Sequence, residues 1–336
     1  MGADNNLNAE AHQKIEQISS GWEMNLSNKL LIYIDTPYGD GPQLLEITGE
    51  DNKDYKILKQ YPPVNSADYK IFHSVIKEIT NTYLSQSYGL VIFSHASGWL
   101  PARTYDFSRS IIVDKNDEME LDDFAKAIPD NLFDFIVFEA CNMAGIEVAY
   151  ELKNKAHYIL ASVAPILSPG FTYIYKDNVT YFFDSPEIGL KKFAENYMNY
   201  FQANSGIFRS ATISLIKTQE LDDLASTIKN ICKSTDKKSS IEDLQTYDDS
   251  LEEPFYFFDF EQYYSTLASN ELKVQLTENL SRSIIFKAAT DNYSVNGGTI
   301  PIHSYSGLST YIEQKQYQEL NSSYSKLQWY KVIHNE

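Results

Sequence analysis

Short apolar runs recur along this chain, most of them separated by helix-length intervals. They fall at 29–35, 88–94, 134–139, 157–162 and 210–216. A strand covered on both faces reads as such a run, and strands of this kind belong to sheets sandwiched between helices. The intervals supply the helices. Ile71, Val75, Ile79 and Tyr83 repeat at helical spacing along 66–85. Further helices are expected at 121–128, 143–153, 186–202 and 220–233. Strands alternating with helices predict a mostly parallel central sheet flanked by helices, an α/β fold.

Outside this pattern, residues 1–26 are polar, with a short helix expected over 9–19. Residues 44–58 read as a hairpin turning at Asp51-Asn52-Lys53-Asp54. The stretch 234–253 is the most polar and charge-rich, and is expected to be a linker or surface excursion. Beyond it lie expected helices at 260–269 and 271–280, strands near 284–289 and 307–312, and a terminal helix. The organisation expected is an N-terminal segment (1–26), a core (27–235) and an α+β C-terminal subdomain packed on that core (236–336).

Charge narrows the function. The chain carries a formal net charge of −18, and a nucleic-acid binder needs a basic footprint that is missing here. No run of about 18 apolar residues offers a transmembrane segment. The first residues lack the basic-then-apolar pattern of a signal peptide. Such a start fits a cytoplasmic terminus, or a chain from which an export or lipid-anchor signal has been removed. Two cysteines, Cys141 and Cys232, are too few for a disulfide framework.

Two of the apolar runs end in candidate chemistry. Residues 89–93 deliver Ser94-His95-Ala96-Ser97-Gly98-Trp99, and 133–138 deliver Glu139-Ala140-Cys141-Asn142-Met143. Open α/β sheets build their sites at the C-terminal ends of strands. A thiol there, with an imidazole beside it, is the minimal machinery for attacking a peptide carbonyl. A helix after Cys141 would favour its thiolate through the positive end of the helix dipole. Backbone N–H groups of Ala96 and Cys141 are candidates for an oxyanion hole. The bland alternative for Cys141 is a small buried residue. His157 starts its strand and so lies at the wrong edge. There is no phosphate-binding glycine loop, no His-Glu-x-x-His and no Cys/His cluster for zinc.

These motifs resemble a known family. Ser94-His95-Ala96-Ser97-Gly98-Trp99 is similar to the His-Gly-Ser-Gly-Trp of clostripain-like cysteine peptidases, and Glu139-Ala140-Cys141-Asn142-Met143 to their Asp-Ala-Cys-Leu-Met. Ala161-Ser162 with Pro169-Gly170-Phe171-Thr172-Tyr173 resembles the loop after the family's next strand. Tyr256-Phe257-Phe258-Asp259-Phe260 and Gly307-Leu308-Ser309-Thr310-Tyr311 resemble later markers. The resemblance implies a caspase-like fold, with Cys141 as nucleophile and His95 as general acid/base; a histidine about 50 residues before the cysteine is also the caspase order. Ala96 stands where the family has an oxyanion-hole glycine. Glu139 stands where the family has an aspartate linked to preference for Arg or Lys before the scissile bond. Ser162 is expected among the substrate-binding residues, and Asp177 is a rival carboxylate to Glu139. Self-cleavage in the loop after the histidine would fall at Arg103-Thr104 or Arg109-Ser110.

The expected function is therefore a secreted or cell-surface cysteine endopeptidase acting on peptide or protein substrates, with a cytoplasmic site left open. No resident cofactor is expected. Some relatives use calcium, but the acidic stretch 114–123 lacks the spacing of a known calcium loop. The competing reading is a catalytically silent peptidase-like surface protein that binds peptide or glycan.

Overall fold

A computed structural model describes residues 1–23, 27–50, 53–102, 111–115, 117–235 and 240–334. Helix α1 (Asn8–Gly21) leads into three antiparallel strands, β1 (Leu31–Ile34), β2 (Gln43–Glu50) and β3 (Lys53–Gln60). The tip of the expected hairpin turn, at 51–52, lies outside the described residues. Helix α2 (Tyr69–Thr82) starts where the Asp68 carboxylate accepts the Lys70 N–H, a side-chain cap on the first turn. There follow β4 (Gly89–Phe93), a small hairpin of β5 (Ile112–Asp114) and β6 (Asp117–Met119), and α3 (Leu121–Ala127). Then come β7 (Phe133–Glu139), α4 (Ile146–Glu151), β8 (Ala156–Ala161), α5 (Thr172–Asn178) and α6 (Pro186–Gln202). Strand β9 (Thr212–Lys217) and helix α7 (Leu221–Ser234) end the expected core.

The C-terminal third adds β10 (Phe258–Asp259), α8 (Phe260–Leu267), α9 (Asn270–Ser283) and β11 (Ile284–Ala289). A hairpin of β12 (Asn292–Val295) and β13 (Gly298–Pro301) follows, then β14 (Ser309–Thr310), α10 (Gln318–Tyr324) and α11 (Gln328–His334).

The central sheet has the order β11-β9-β8-β7-β4. Strands β4, β7 and β8 are parallel, whereas β9 and β11 run antiparallel to their neighbours. The sheet is thus mixed, not mostly parallel. The run at 29–35, expected in the core sheet, instead pairs with β2 in the three-stranded sheet. Its burial alternates, with Ile32 and Ile34 inside and Leu31 and Tyr33 less so, as suits a strand with one covered face.

Strand alternation sorts the core into two layers. Ile136, Phe138, Ile159 and Ile216 face one core, shared with α3, α4, α7, α9 and α11. Phe93, Phe135, Val137, Leu160 and Leu215 face the other, filled by α1, α5 and α6.

The C-terminal third contributes to these same layers. β11 is an edge strand of the central sheet, so 236–336 shares that sheet besides packing on its helices. The expected surface excursion also turns inward, since Gln245, Tyr247 and Asp248 are buried. Asp259 accepts the Tyr247 hydroxyl at 2.8 Å and the Ser306 N–H at 2.7 Å. Glu147 at the start of α4 accepts the Tyr311 N–H at 2.8 Å and the Thr310 hydroxyl at 3.0 Å. Buried carboxylates thus tie the end of the chain to its middle.

Candidate active site

β4 and β7 are hydrogen-bonded neighbours, with Phe93 opposite Glu139. Each chain then runs two residues further, to His95 and to Cys141. Adjacent strands lie about 4.8 Å apart, so the two residues leave neighbouring strand ends side by side. Within the strands, the alternation that puts Phe93 and Val137 on the α1/α5/α6 side puts Glu139 there too, while His95 and Cys141 follow just past the strand ends.

The loops that carry them touch. Gly98 has φ +62°, and a Cβ there would meet the Asn142 carbonyl oxygen at 2.8 Å. Only a glycine permits that approach in that conformation. Trp99 anchors the histidine loop by packing edge-on against Tyr311, with ring centroids 5.1 Å apart. On the cysteine side, Asn142 has φ +59°. Its side-chain amide donates to Val163 O at 2.9 Å and to Tyr247 O at 3.0 Å. These bonds hold a turn after Cys141, and α4 begins only at Ile146. The helix expected directly after the thiol therefore starts later, and its dipole acts from further away.

Cys141 is partly exposed, and its Sγ accepts the Ile166 N–H at 3.3 Å. Both cysteines are free thiols. His95 is partly exposed, and its Nε2–H donates to Asn6 Oδ1 at 2.7 Å. Ala96 is buried and lies outside the left-handed region that Lys115, Asn131 and Asn142 occupy among the described non-glycine residues. An alanine therefore stands at this position without the strain of a positive φ.

The carboxylate of Glu139 is buried and fully engaged. Oε1 accepts from Lys14 Nζ at 2.7 Å and from the Phe171 N–H, and Oε2 accepts the Tyr175 hydroxyl at 2.8 Å. Lys14 is itself fully buried in α1. It also donates to Thr172 Oγ1 at 2.6 Å, to Glu10 Oε1 at 2.8 Å and to Pro169 O at 3.2 Å. Burial pushes the Glu139 carboxyl upward, while Lys14 and the other donors work against that.

The remaining expected site residues fall elsewhere. Ser162 is wholly buried at the end of β8, its hydroxyl bonded to Ala164 O and Thr212 Oγ1, so it has no surface to offer a substrate. Asp177 is exposed on α5. Thr172 and Tyr175 form the face of that helix turned to the Lys14–Glu139 pair, and Asp177 lies on its other, exposed side. Arg103 and Arg109 lie outside the described residues. Among the described residues, no three His, Cys, Asp or Glu side chains gather as a metal site.

Sequence reasoning missed Asn6 and Lys14. For Lys14 a signal existed: Ala11, Lys14, Ile15 and Ile18 share the buried stripe of α1, and a lysine on an apolar stripe requires a buried partner.

The chain matches the clostripain family, peptidase family C11, over residues 1–335. It is similar in structure to an inactive zymogen C11 protease from Parabacteroides distasonis, with 32% identity and a TM-score of 0.86 over 99% of this chain and 95% of that one. A secreted C11 cysteine protease from Bacteroides thetaiotaomicron, in complex with an irreversible peptide inhibitor, matches with 26% identity and a TM-score of 0.85, over 99% and 96% of the two chains. A B. fragilis cysteine protease matches 66% of this chain and 95% of its own, with 27% identity and a TM-score of 0.59. No curated protein matches. With a mixed α/β sheet, a histidine and a cysteine at adjacent strand ends, and the family match along nearly its whole length, the chain belongs to the clostripain family of cysteine peptidases.

Proposed function

We propose that the chain is an endopeptidase in which Cys141 is the nucleophile and His95 manages the protons. The observation that supports this most is the register of β4 and β7, with Phe93 opposite Glu139, which sets His95 and Cys141 just past neighbouring strand ends. The neutral imidazole, bonded through Nε2–H to Asn6, carries its lone pair on Nδ1. Deprotonation gives the thiolate, which adds to the peptide carbonyl. The tetrahedral oxyanion is held by the N–H groups of Ala96 and Cys141. The C–N bond breaks as the imidazolium protonates the leaving amine, leaving an acyl thioester. Water, deprotonated by the same imidazole, cleaves the thioester and restores the thiol.

Cleavage after Arg or Lys, implied by the family resemblance, stays part of this reading; the Glu139 carboxylate is paired with Lys14, so a cationic side chain would need a carboxylate other than Glu139. An extracellular or cell-surface site fits relatives described as secreted, and no helix among the described residues is long and apolar enough to cross a membrane.

The test is labelling by a peptide carrying a thiol-directed acyl warhead, paired with turnover of a fluorogenic peptide. Cys141→Ala is expected to abolish both. Undiminished turnover in that variant, or a wild-type protein that neither cleaves nor is labelled, would leave the silent binding scaffold as the better reading.

A further inference from the structure

The sulfur of Cys141 accepts a hydrogen bond that the mechanism above does not use. The main-chain N–H of Ile166 donates to Sγ over 3.3 Å. Ile166 lies 25 positions further along the chain, in the loop between β8 and α5, so the contact is made by the fold and not by local sequence. A helix N-terminus is the usual aid to a thiolate, but here α4 begins only at Ile146. A donor placed on the sulfur acts at shorter range.

The loop is fastened on both sides of that amide. Before it, the Asn142 N–H donates to Ala164 O at 3.3 Å and the Ala144 N–H to Ser162 O at 2.9 Å, so the turn after Cys141 and the loop share bonds. Pro165 fixes its own φ and stiffens the approach to Ile166. After it, the Gly170 N–H closes a turn on Leu167 O at 2.9 Å. Lys14 Nζ reaches Pro169 O at 3.2 Å, and the Ser168 hydroxyl donates to Glu10 Oε2 at 2.8 Å. A donor held in place in advance is what stabilisation of a charged atom requires.

A neutral thiol is a weak acceptor, whereas hydrogen bonds to a charged acceptor are the strong ones. The Ile166 N–H therefore favours the thiolate. Sulfur carries that charge before attack, loses it as the thioester forms and regains it when water cleaves the thioester. Besides His95, the titratable groups within electrostatic reach of Cys141 are Glu139, paired with Lys14, and Tyr197 of α6, whose hydroxyl burial keeps neutral. Removing the amide hydrogen leaves all of them in place.

We infer that the main-chain N–H of Ile166 is a catalytic donor: it stabilises the Cys141 thiolate as the attacking group and again as the group expelled from the acyl thioester. This rests on the peptidase reading above and adds a residue to its machinery.

The pH dependence of Cys141 alkylation by iodoacetamide, read by mass spectrometry on the Cys141 peptide, gives the apparent pKa of the thiol in its pair with His95. Ile166→Pro removes the N–H and is expected to raise that pKa by about one pH unit or more. The acid limb of kcat/KM for a fluorogenic peptide is expected to move with it. Ile166→Ala keeps the N–H and is expected to keep the wild-type pKa. A second measurement needs no substitution at 166. Carbon-13 at the proline carbonyl with nitrogen-15 in isoleucine selects two amides by NMR, Ile166 and Ile302, which follow Pro165 and Pro301. The Ile166 resonance is expected to titrate with the thiol in wild type and to stop doing so in Cys141→Ala. Ile302, whose N–H is bonded to Asp291 O, is the internal control. A folded Ile166→Pro with an unmoved pKa, or an Ile166 amide indifferent to the thiol, overturns the proposal. A wild-type protein that turns over no peptide, with thiol and amide still titrating together, removes the peptidase reading and leaves the thiolate donor standing.

Discussion

At the scale of single residues, the two free thiols are unlike. Cys232 is partly buried on α7, and burial pushes its thiol up to about 11, so about 0.1% of it is thiolate at pH 8. Brief iodoacetamide treatment at that pH should therefore modify Cys141 and spare Cys232, as peptide mass mapping would show. The imidazole of His95 is tied to Asn6. Because small misplacement of a proton-transfer group costs up to about 100-fold, Asn6→Ala is expected to lower kcat by roughly tenfold or more with little change in KM. A KM effect alone would mean that Asn6 serves binding instead of orientation.

At the scale of elements, α1 and the two site loops are locked by contacts that allow few substitutions. Removing one partner of a buried ion pair costs about 3–5 kcal/mol, because the other charge stays behind unpaired. Lys14→Ala should lower the urea midpoint accordingly, and Lys14→Met with Glu139→Gln should recover most of the loss. Gly98→Ala places a Cβ against the Asn142 carbonyl at a positive φ, a strain of about 1–3 kcal/mol. Its loops must separate to relieve this. Thermal melting and peptidase activity should both fall, and a fully active Gly98→Ala would mean the loops are not held in this contact.

Over the whole molecule, buried carboxylates fasten the last third of the chain to the rest, and they make its stability depend on pH. Burial pushes Glu147 up to about 7 and Asp248 up to about 8. The folded protein keeps these protons to higher pH than the unfolded chain does. Between the ordinary carboxylate range and these values the folded state binds more protons, so the contribution of both groups to stability falls as pH rises from about 4 to about 8. For Glu147 the loss is about 3 kcal/mol. Urea midpoints at pH 5 and pH 8 should differ less in Glu147→Gln than in wild type; an unchanged difference would show that Glu147 ionises freely in the fold.

Local pattern determined much of this protein. The apolar runs placed β4, β7, β8, β9 and β11 to within a residue or two, and their ends placed His95 and Cys141 at one edge, because burial of a strand is written in its own few residues. The family followed from motifs that lie within single loops. Only the tertiary structure decided which strands run antiparallel, that 29–35 joins a separate sheet, that Ser162 is wholly buried, and that Asp177 lies on the face of α5 turned away from Glu139. It also decided the fate of Glu139, whose charge is answered by a lysine 125 positions earlier. Strand direction and buried charge pairing depend on partners distant in the chain, and a residue's neighbours in sequence carry no record of them.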